Sequence, residues 1–130
     1  MMYRSVFKPG LFEGQTVIVT GGGSGIGRCT AHEIAALGAH VVITGRKADK
    51  LATVKSEIEA AGGSCETHAF DIREEPQVKE AIAAIVARNG RINGLFNNAG
   101  GQFPAPAAAM SAKGFDVVVR NNLTGGFVVS

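Results

Sequence analysis

The most informative segment of this 130-residue chain reads Thr20-Gly21-Gly22-Gly23-Ser24-Gly25-Ile26-Gly27. An apolar run at residues 17–19 precedes it, and a pattern typical of an amphipathic helix follows it. Glycines let the main chain turn sharply and approach a ligand closely, and the free N–H groups at a helix start attract negative charge. We interpret the segment as a strand-to-helix loop that binds a pyrophosphate. A glycine-rich turn without a ligand is the alternative.

The spacing of the glycines distinguishes this loop from other nucleotide-binding loops. The pattern T-G-x-x-x-G-x-G fits at Thr20, Gly21, Gly25 and Gly27. The widespread pattern G-x-G-x-x-G cannot be placed between Gly21 and Gly27. A P-loop is also excluded, because no Lys-Ser/Thr pair follows the last glycine.

Length and charge narrow the class of protein. A chain of 130 residues corresponds to about one domain at most. Lys and Arg number 13 and Asp and Glu number 11, and their scattered positions argue against nucleic acid or an anionic membrane as a partner. Apolar runs are shorter than a membrane span, and residues 1–15 lack the apolar core of a signal peptide. We therefore expect a cytoplasmic protein.

The cysteines and histidines do not indicate a metal site. His32, His40 and His68 lack the spacing of metal ligands, and Cys29 and Cys65 form no C-x-x-C motif. Cys29 falls in the first predicted helix and Cys65 at the start of a predicted strand. Both are expected to be packed thiols rather than ligands or a disulfide.

Segments with strand and helix patterns alternate along the chain, which predicts a parallel sheet with crossover helices. After the strand at residues 17–19, strands are predicted at residues 40–44, 65–70 and 92–96. Helices are predicted at residues 25–37, at residues 48–61, and from a first turn containing Pro76 to residues 89–90. In the first helix, Ile26, Ile34 and Leu37 are expected to share the buried face. Residues 104–110 are predicted to form a loop.

The predicted fold class is α/β, a Rossmann-like doubly wound parallel sheet with strand order 3-2-1-4. In this order the strand at residues 92–96 has an unpaired edge, which invites aggregation or pairing with another chain. We expect a polypeptide of residues 1–130 to be only marginally stable by itself.

The residues after the second predicted strand bear on the type of nucleotide. Rossmann folds that use NAD usually carry an Asp or Glu about 20 residues past the glycines, where it binds the ribose 2′-hydroxyl. Here the segment reads Thr44-Gly45-Arg46-Lys47. Arg46 and Lys47 suit the 2′-phosphate of NADP(H), which is therefore the predicted cofactor. A solvated Arg-Lys pair is the alternative, although cations before a helix are unfavourable unless an anion binds.

Two further strand ends carry candidate site residues, because ligands gather at the carboxyl ends of parallel strands. Asp71 could accept a hydrogen bond from an adenine amino group while Ile72 packs on the ring, and helix capping by Asp71 is the alternative. In Asn97-Asn98-Ala99-Gly100-Gly101, small residues leave room for ribose and nicotinamide, and the amides can tie strand ends together. An ordinary strand-ending turn is the alternative there.

The set of motifs resembles that of the short-chain dehydrogenases/reductases. The matching positions occur in the family's order along the whole chain: Thr20-Gly21-x-x-x-Gly25-x-Gly27, Arg46, Asp71, Asn97-Asn98-Ala99-Gly100 and Asn122-Leu123-Thr124-Gly125. The resemblance implies a nicotinamide-dependent oxidoreductase in which residues 1–130 form an NADP(H)-binding Rossmann domain that is incomplete at its C-terminus.

The resemblance also implies a role for each matching residue. The pyrophosphate would be bound by Gly21, Ser24, Gly25, Ile26 and Gly27. The 2′-phosphate would be bound by Arg46 and Lys47, the adenine by Asp71 and Ile72, and the nicotinamide-side ribose by Asn98, Ala99 and Gly100. Asn122 corresponds to the family's active-site asparagine, which bends a helix and holds a water in the proton relay. Asn121 directly precedes it, and an asparagine ending one helical segment is the alternative.

The family's acid and base are not found in this sequence. Its members use a Tyr-x-x-x-Lys pair, in which the lysine lowers the pKa of the tyrosine, together with an upstream serine. The one tyrosine here is Tyr3, and Phe7 stands four residues later. The apolar run at residues 126–130 has no helix stop signal, and family members are about twice as long. We therefore expect the 130-residue piece to be inactive alone.

The substrate class is suggested by loop similarity. Residues 101–106 and 3–7 look similar to the branch that contains NADPH-dependent 2-enoyl-CoA and 2,4-dienoyl-CoA reductases, although loops vary most between homologues. The expected function is hydride transfer to or from a small molecule, either an enoyl-CoA or a carbonyl or alcohol. The family implies a homo-oligomer for a complete enzyme. The alternative is a non-catalytic nucleotide-binding or assembly module, if the native chain ends at Ser130.

Overall fold

Strands and helices alternate around one parallel sheet. The structure is a computed structural model that describes residues 4–101 and 104–130. The strands are β1 (Thr16–Thr20), β2 (His40–Gly45), β3 (Ser64–Ala69) and β4 (Gly94–Phe96). The helices are α1 (Gly25–Ala36), α2 (Ala48–Ala60), α3 (Glu75–Asn89), α4 (Ala112–Val119) and α5 (Gly125–Val129). A π-helical segment, Arg120–Thr124, joins α4 to α5.

The sheet has the strand order β3-β2-β1-β4, and each neighbouring pair is parallel. The predicted fold class and strand order are therefore confirmed. The register pairs Thr20 with Thr44 and Val19 with Phe96. The carboxyl ends of β1, β2 and β4 consequently lie at the same edge of the sheet. The candidate motifs directly follow these strands in the sequence.

Helices pack on both faces of the sheet, and successive strand residues point alternately to the two faces. On one face, Val19 and Ile43 belong to a buried cluster with Ala31 of α1 and Leu51 of α2. On the other, Ile18 and Val42 pack with Ile85 of α3. Covering both faces explains why β1 and the interior of β2 are buried throughout and read as continuous apolar runs.

Strand β4 is shorter than the predicted strand at residues 92–96. The main-chain N–H of Asn93 donates to the Thr16 carbonyl at 2.8 Å, and its side-chain Oδ1 accepts from the Thr16 N–H at 2.9 Å. A side chain thus takes a place that a main-chain carbonyl would hold, and the regular ladder starts only at Gly94. Ile92 lies before it and packs against the cluster under α3.

The prediction that Ile26 shares the buried face of α1 is wrong, because its side chain is 72% exposed. The buried residues of α1 are small: Gly27, Ala31 and Ala35. They recur every four residues, so the helix lies close to the sheet along this line, and its first turn leaves Ile26 at the border of an open cavity.

The two cysteines differ in environment. Cys29 is exposed on α1, so the expectation of a packed thiol is wrong there. Cys65 is buried in β3, and burial raises the pKa of its thiol to about 12. The local pattern did not separate them, because it does not show which face of α1 packs on the sheet.

A buried carboxylate connects three elements at the N-terminal side of the sheet. Glu66 of β3 is 4% exposed, and its Oε1 contacts His40 Nε2 of β2 at 3.3 Å and Asn89 Nδ2 of α3 at 3.1 Å. Its Oε2 contacts His68 Nε2 at 2.5 Å, and Arg88 Nε lies 3.5 Å from Oε1. Burial opposes ionisation, but the hydrogen bonds from His68, Asn89 and His40 outweigh it and hold the pKa of Glu66 below its ordinary value.

Two further observations concern the described ranges as a whole. Within residues 4–101 and 104–130, no helix is long and apolar enough to cross a membrane. In the same ranges, no group of three His, Cys, Asp or Glu side chains is arranged to hold a metal ion. The predicted loop at residues 104–110 contains a 3₁₀ turn at Ala107–Ala109.

Candidate cofactor-binding site

A cavity of about 460 Å³ opens at the carboxyl ends of the strands. Its wall combines the glycine loop, the segments after β2 and β3, and the segment after β4. The lining residues are Gly21, Gly23, Ser24, Gly25, Ile26, Thr44, Gly45, Arg46, Lys47, Lys50, Leu51, Phe70, Asp71, Ile72, Asn98, Ala99, Gly100 and Asn121. The topology thus brings motifs that are distant in sequence to one place.

The glycine loop can follow its path only with glycine at critical positions. Gly21 and Gly25 have φ angles of 67° and 53°, in the left-handed region that L side chains rarely adopt. A Cβ at Gly27 would overlap the carbonyl oxygen of Gly21 and lie 2.6 Å from Asn98 Nδ2. Gly27 is buried and does not belong to the lining, so it supports the loop by close packing and does not face the cavity.

Thr20 joins the glycine loop to the segment after β4. Its Oγ1 accepts hydrogen bonds from the main-chain N–H groups of Asn98 and Ala99, both at 2.9 Å. Asn98 Nδ2 in turn donates to the Thr20 carbonyl at 3.1 Å. Thr20 is completely buried. These bonds set the position of Asn98 and Ala99 in the cavity wall.

Positive charge surrounds the part of the cavity next to β2. Arg46, Lys47 and Lys50 line it, while Asp71 is the one carboxylate among the lining residues of the described chain. The hydrogen bond from the Arg73 side chain is the main reason that the pKa of Asp71 falls to about 2, and the charge of Arg46 contributes as well. This part of the cavity therefore suits a ligand that carries negative charge close to Arg46.

Asn122 lies in the π-helical segment and holds the chain after β4 in place. Its Nδ2 donates to the carbonyls of Gly101 at 2.5 Å and Val118 at 2.9 Å, and its Oδ1 accepts from the Gly101 N–H at 3.2 Å. The preceding Asn121 lines the cavity, whereas Asn122 does not. The helix is distorted at this asparagine, and its amide is committed to the main chain of the described residues.

The residues present fit a dinucleotide. A Cβ built on Gly25 meets no described atom within 4 Å, so the loop leaves open space where the helix begins. Free N–H groups at the start of α1 and the three cations beside β2 are donors suited to phosphate oxygens. Among the described residues, the buried Thr44 Oγ1 beside the cavity lacks a hydrogen-bond partner.

The structure brings most of the sequence-derived site residues together. Gly21, Ser24, Gly25, Ile26, Arg46, Lys47, Asp71, Ile72, Asn98, Ala99 and Gly100 line the cavity, whereas Gly27 and Asn122 support it from behind. Sequence reasoning missed Lys50, Asn121 and Arg73. Lys50 lies in the first turn of α2, four residues after Arg46, and its place in the sequence offered a signal. The pairing of Arg73 with Asp71 required the loop conformation.

Comparison with known proteins assigns the family. The family model for short chain dehydrogenases matches residues 15–130. The chain is 38% identical over 129 residues to a peroxisomal 2,4-dienoyl-CoA reductase of Mus musculus. This match covers 98% of this chain and 44% of that protein. A structure of a citronellol catabolism dehydrogenase from Pseudomonas aeruginosa PAO1 is 62% identical, with a TM-score of 0.93 over 98% of this chain and 52% of that one. The chain belongs to the short-chain dehydrogenase family.

Related structures contain either nicotinamide dinucleotide. A metagenomic short-chain oxidoreductase in complex with NADP is 37% identical, with a TM-score of 0.84 over 91% of this chain and 54% of that one. An NAD+-bound xylitol dehydrogenase is 30% identical, with a TM-score of 0.88 over 92% of this chain and 46% of that one. Family membership therefore supports a nicotinamide cofactor without selecting between the two. The chain spans about half the length of the relatives it matches.

Proposed function

We propose that this chain is the cofactor-binding part of an NADP(H)-dependent oxidoreductase. One observation carries the proposal: the cavity beside the glycine loop is lined by Arg46 and Lys47 directly after β2. An NAD site usually has a carboxylate in that region, which would repel a 2′-phosphate. The nearby Lys50 increases the positive charge of the same wall.

Each part of the wall has a distinct task in this proposal. Gly21, Ser24, Gly25 and Ile26 would hold the pyrophosphate, with Gly27 keeping the loop close to β1. Arg46 and Lys47 would hold the 2′-phosphate, and Asp71 and Ile72 the adenine. Asn98, Ala99 and Gly100 would hold the nicotinamide-side ribose in the position set by Thr20. The bound nicotinamide supplies or accepts a hydride, which is the chemistry of this cofactor class.

Asn122 is proposed to act on the active site through the main chain. Its amide holds Gly101 through two hydrogen bonds, and so fixes the main chain that follows β4. The distorted helix at Arg120–Thr124 keeps this asparagine in place. The water-holding role in a proton relay that the family resemblance suggests remains part of the proposal.

The proposed substrate is a small molecule, either an enoyl-CoA or a carbonyl or alcohol. The relative from mouse is named as a dienoyl-CoA reductase, and the 62% identical structure is named for citronellol catabolism. The loop similarity lies partly at positions 3, 102 and 103, which are outside the described residues. Turnover of 2,4-dienoyl-CoA against turnover of a branched alcohol with the intact protein would separate the two classes.

Cofactor preference tests the proposal directly. We expect the intact protein to bind NADPH more tightly than NADH, measured by quenching or enhancement of nicotinamide fluorescence. Arg46→Ala should reduce this preference by about tenfold to a hundredfold, since a charge-assisted hydrogen bond contributes about 1.5–3 kcal/mol. Its affinity for NADH should change little, because NADH has no 2′-phosphate.

Arg91→Ala is a matched control for Arg46→Ala. Arg91 is exposed and precedes β4, at the end of the sheet opposite to the cavity. This control should leave the preference unchanged. If the unaltered protein binds both dinucleotides equally, or prefers NADH, the proposed cofactor is contradicted. The proposal of a nicotinamide-dependent oxidoreductase would still stand.

A non-catalytic nucleotide-binding or assembly module remains the second candidate. Cofactor binding without hydride transfer by the intact protein would favour it. We also propose a cytoplasmic location and a homo-oligomer for the complete enzyme. Because one relative is named as peroxisomal, fluorescence imaging of the intact protein in cells is the test of this location.

A further inference from the structure

We propose that Arg73 is a positioning residue for base recognition: it holds the Asp71 carboxylate as the acceptor that selects a purine with a 6-amino group. Arg73 itself does not belong to the cavity lining formed by the described residues, whereas Asp71 does. Arg73 therefore acts through Asp71. The inference rests on the proposed function, because it concerns the adenine part of the same cofactor.

The two side chains form a closely spaced pair. Arg73 Nε donates to Asp71 Oδ1 at 3.0 Å, and Nη2 donates to Oδ2 at 2.7 Å. The main-chain N–H of Arg73 also donates to Oδ1 at 2.9 Å. A forked arginine contact combined with a main-chain bond fixes both the position and the plane of a carboxylate, which a single lysine contact would not do.

The pair leaves acceptor capacity on the carboxylate. A carboxylate has about four lone-pair sites on its two oxygens. Three donor hydrogens occupy these sites: the main-chain N–H bonds to Oδ1, Nη2–H bonds to Oδ2, and the single Nε hydrogen is shared between Oδ1 at 3.0 Å and Oδ2 at 3.2 Å. About one of the four sites is therefore free. Asp71 is 21% exposed at its side chain and lines the cavity, so Oδ2 can still accept a hydrogen bond from a ligand.

The protonation state of Asp71 gives this acceptor its selectivity. The Arg73 hydrogen bond, opposed by burial, lowers the pKa of Asp71 from 3.8 to about 2. An ionised carboxylate can only accept hydrogen bonds, so it favours the amino group of adenine and disfavours the 6-oxo group of hypoxanthine. A carboxyl with the ordinary pKa of 3.8 is also ionised at neutral pH, so the loss of Arg73 would act through the position and plane of the carboxylate.

A comparison of two dinucleotides tests this role in the intact protein. The probes are NADPH and nicotinamide hypoxanthine dinucleotide phosphate, which differ at position 6 of the purine. We expect the unaltered protein to bind NADPH about tenfold more tightly, from the energy of one charge-assisted hydrogen bond. Asp71→Ala and Arg73→Met should each remove most of this preference, and the double variant should lose no more than Asp71→Ala alone.

Conservative and control variants separate positioning from a general structural role. Arg73→Lys should keep part of the preference, because it keeps a charge without the fork, and Arg91→Met should keep all of it. Thermal unfolding of each variant shows whether it is folded. If Arg73→Met weakens both dinucleotides equally, or leaves the preference unchanged while folded, the positioning role is overturned.

The test also distinguishes failure of this inference from failure of the proposed function. Adenine is common to NADPH and NADH, so a protein that prefers NADH can be tested with NADH and its hypoxanthine counterpart. An unchanged purine preference in Arg73→Met would then overturn the inference alone. Failure of the intact protein to bind any of these dinucleotides would overturn both.

Discussion

At the scale of single residues, Thr20 shows how one hydroxyl can organise a site without facing a ligand. Its Oγ1 accepts two main-chain hydrogen bonds, from Asn98 and Ala99, and lies 3.5 Å from the Phe96 carbonyl. Because Thr20 is fully buried, its hydroxyl is satisfied by these protein partners and not by water. The cavity wall after β4 thus depends on a residue at the end of β1.

Thr20→Val should lower the free energy of unfolding of the intact protein by about 1–3 kcal/mol, because two partly buried N–H groups lose their acceptor. The measurement is urea denaturation. Thr20→Ser is the matched control, since it keeps the hydroxyl and should retain most of the stability. Equal stability of the valine variant and the unaltered protein would contradict this role.

At the scale of elements, Glu66 connects β2, β3 and α3 through His40, His68 and Asn89. Its folded-state pKa is below the ordinary value of 4.5, because the hydrogen bonds from these partners outweigh burial. A group with a lowered pKa stabilises the fold fully above its ordinary pKa, and that contribution is lost as the pH falls through the folded value.

Glu66→Gln should therefore reduce the free energy of unfolding near neutral pH by about 1–3 kcal/mol, the cost of a buried polar group with impaired hydrogen bonds. The difference from the unaltered protein should diminish as the pH falls below 4.5. Chemical denaturation across a pH series measures this. Glu59→Gln, an exposed position on α2 paired with Lys55, should show no such pH-dependent difference, and a constant difference for Glu66→Gln would refute the assignment.

At the scale of the whole molecule, one edge of the sheet stays open. Among the described residues, β4 pairs with β1 and has no second neighbour. Its Leu95 and Phe96 are 40% and 37% exposed, and Phe115 and Phe127 on α4 and α5 are more exposed still. An open strand edge beside apolar side chains favours association with another strand or surface.

A polypeptide limited to these 130 residues should consequently associate in solution and unfold at a temperature that depends on its concentration. Sedimentation velocity and calorimetry at two concentrations measure this. A monodisperse monomer with a cooperative transition that does not depend on concentration would contradict the prediction.

Local sequence determined a large part of this architecture. Alternating apolar runs, glycine-rich turns and helical periodicity are properties of neighbouring residues, so the order of strands and the place of the glycine loop followed from them. The parallel order then implied that the segments after β1, β2 and β4 meet at one edge. For the same reason, most predicted site residues line one cavity.

The tertiary structure alone decided which side chains pair and which face outward. The exposure of Ile26 and Cys29, the bonds of Arg73 to Asp71, and the Glu66 cluster depend on distances between elements. Helical periodicity specifies a face but not its neighbour, and a hydrogen bond needs partners placed to within a few tenths of an ångström. Packing of the helices on the sheet sets those distances.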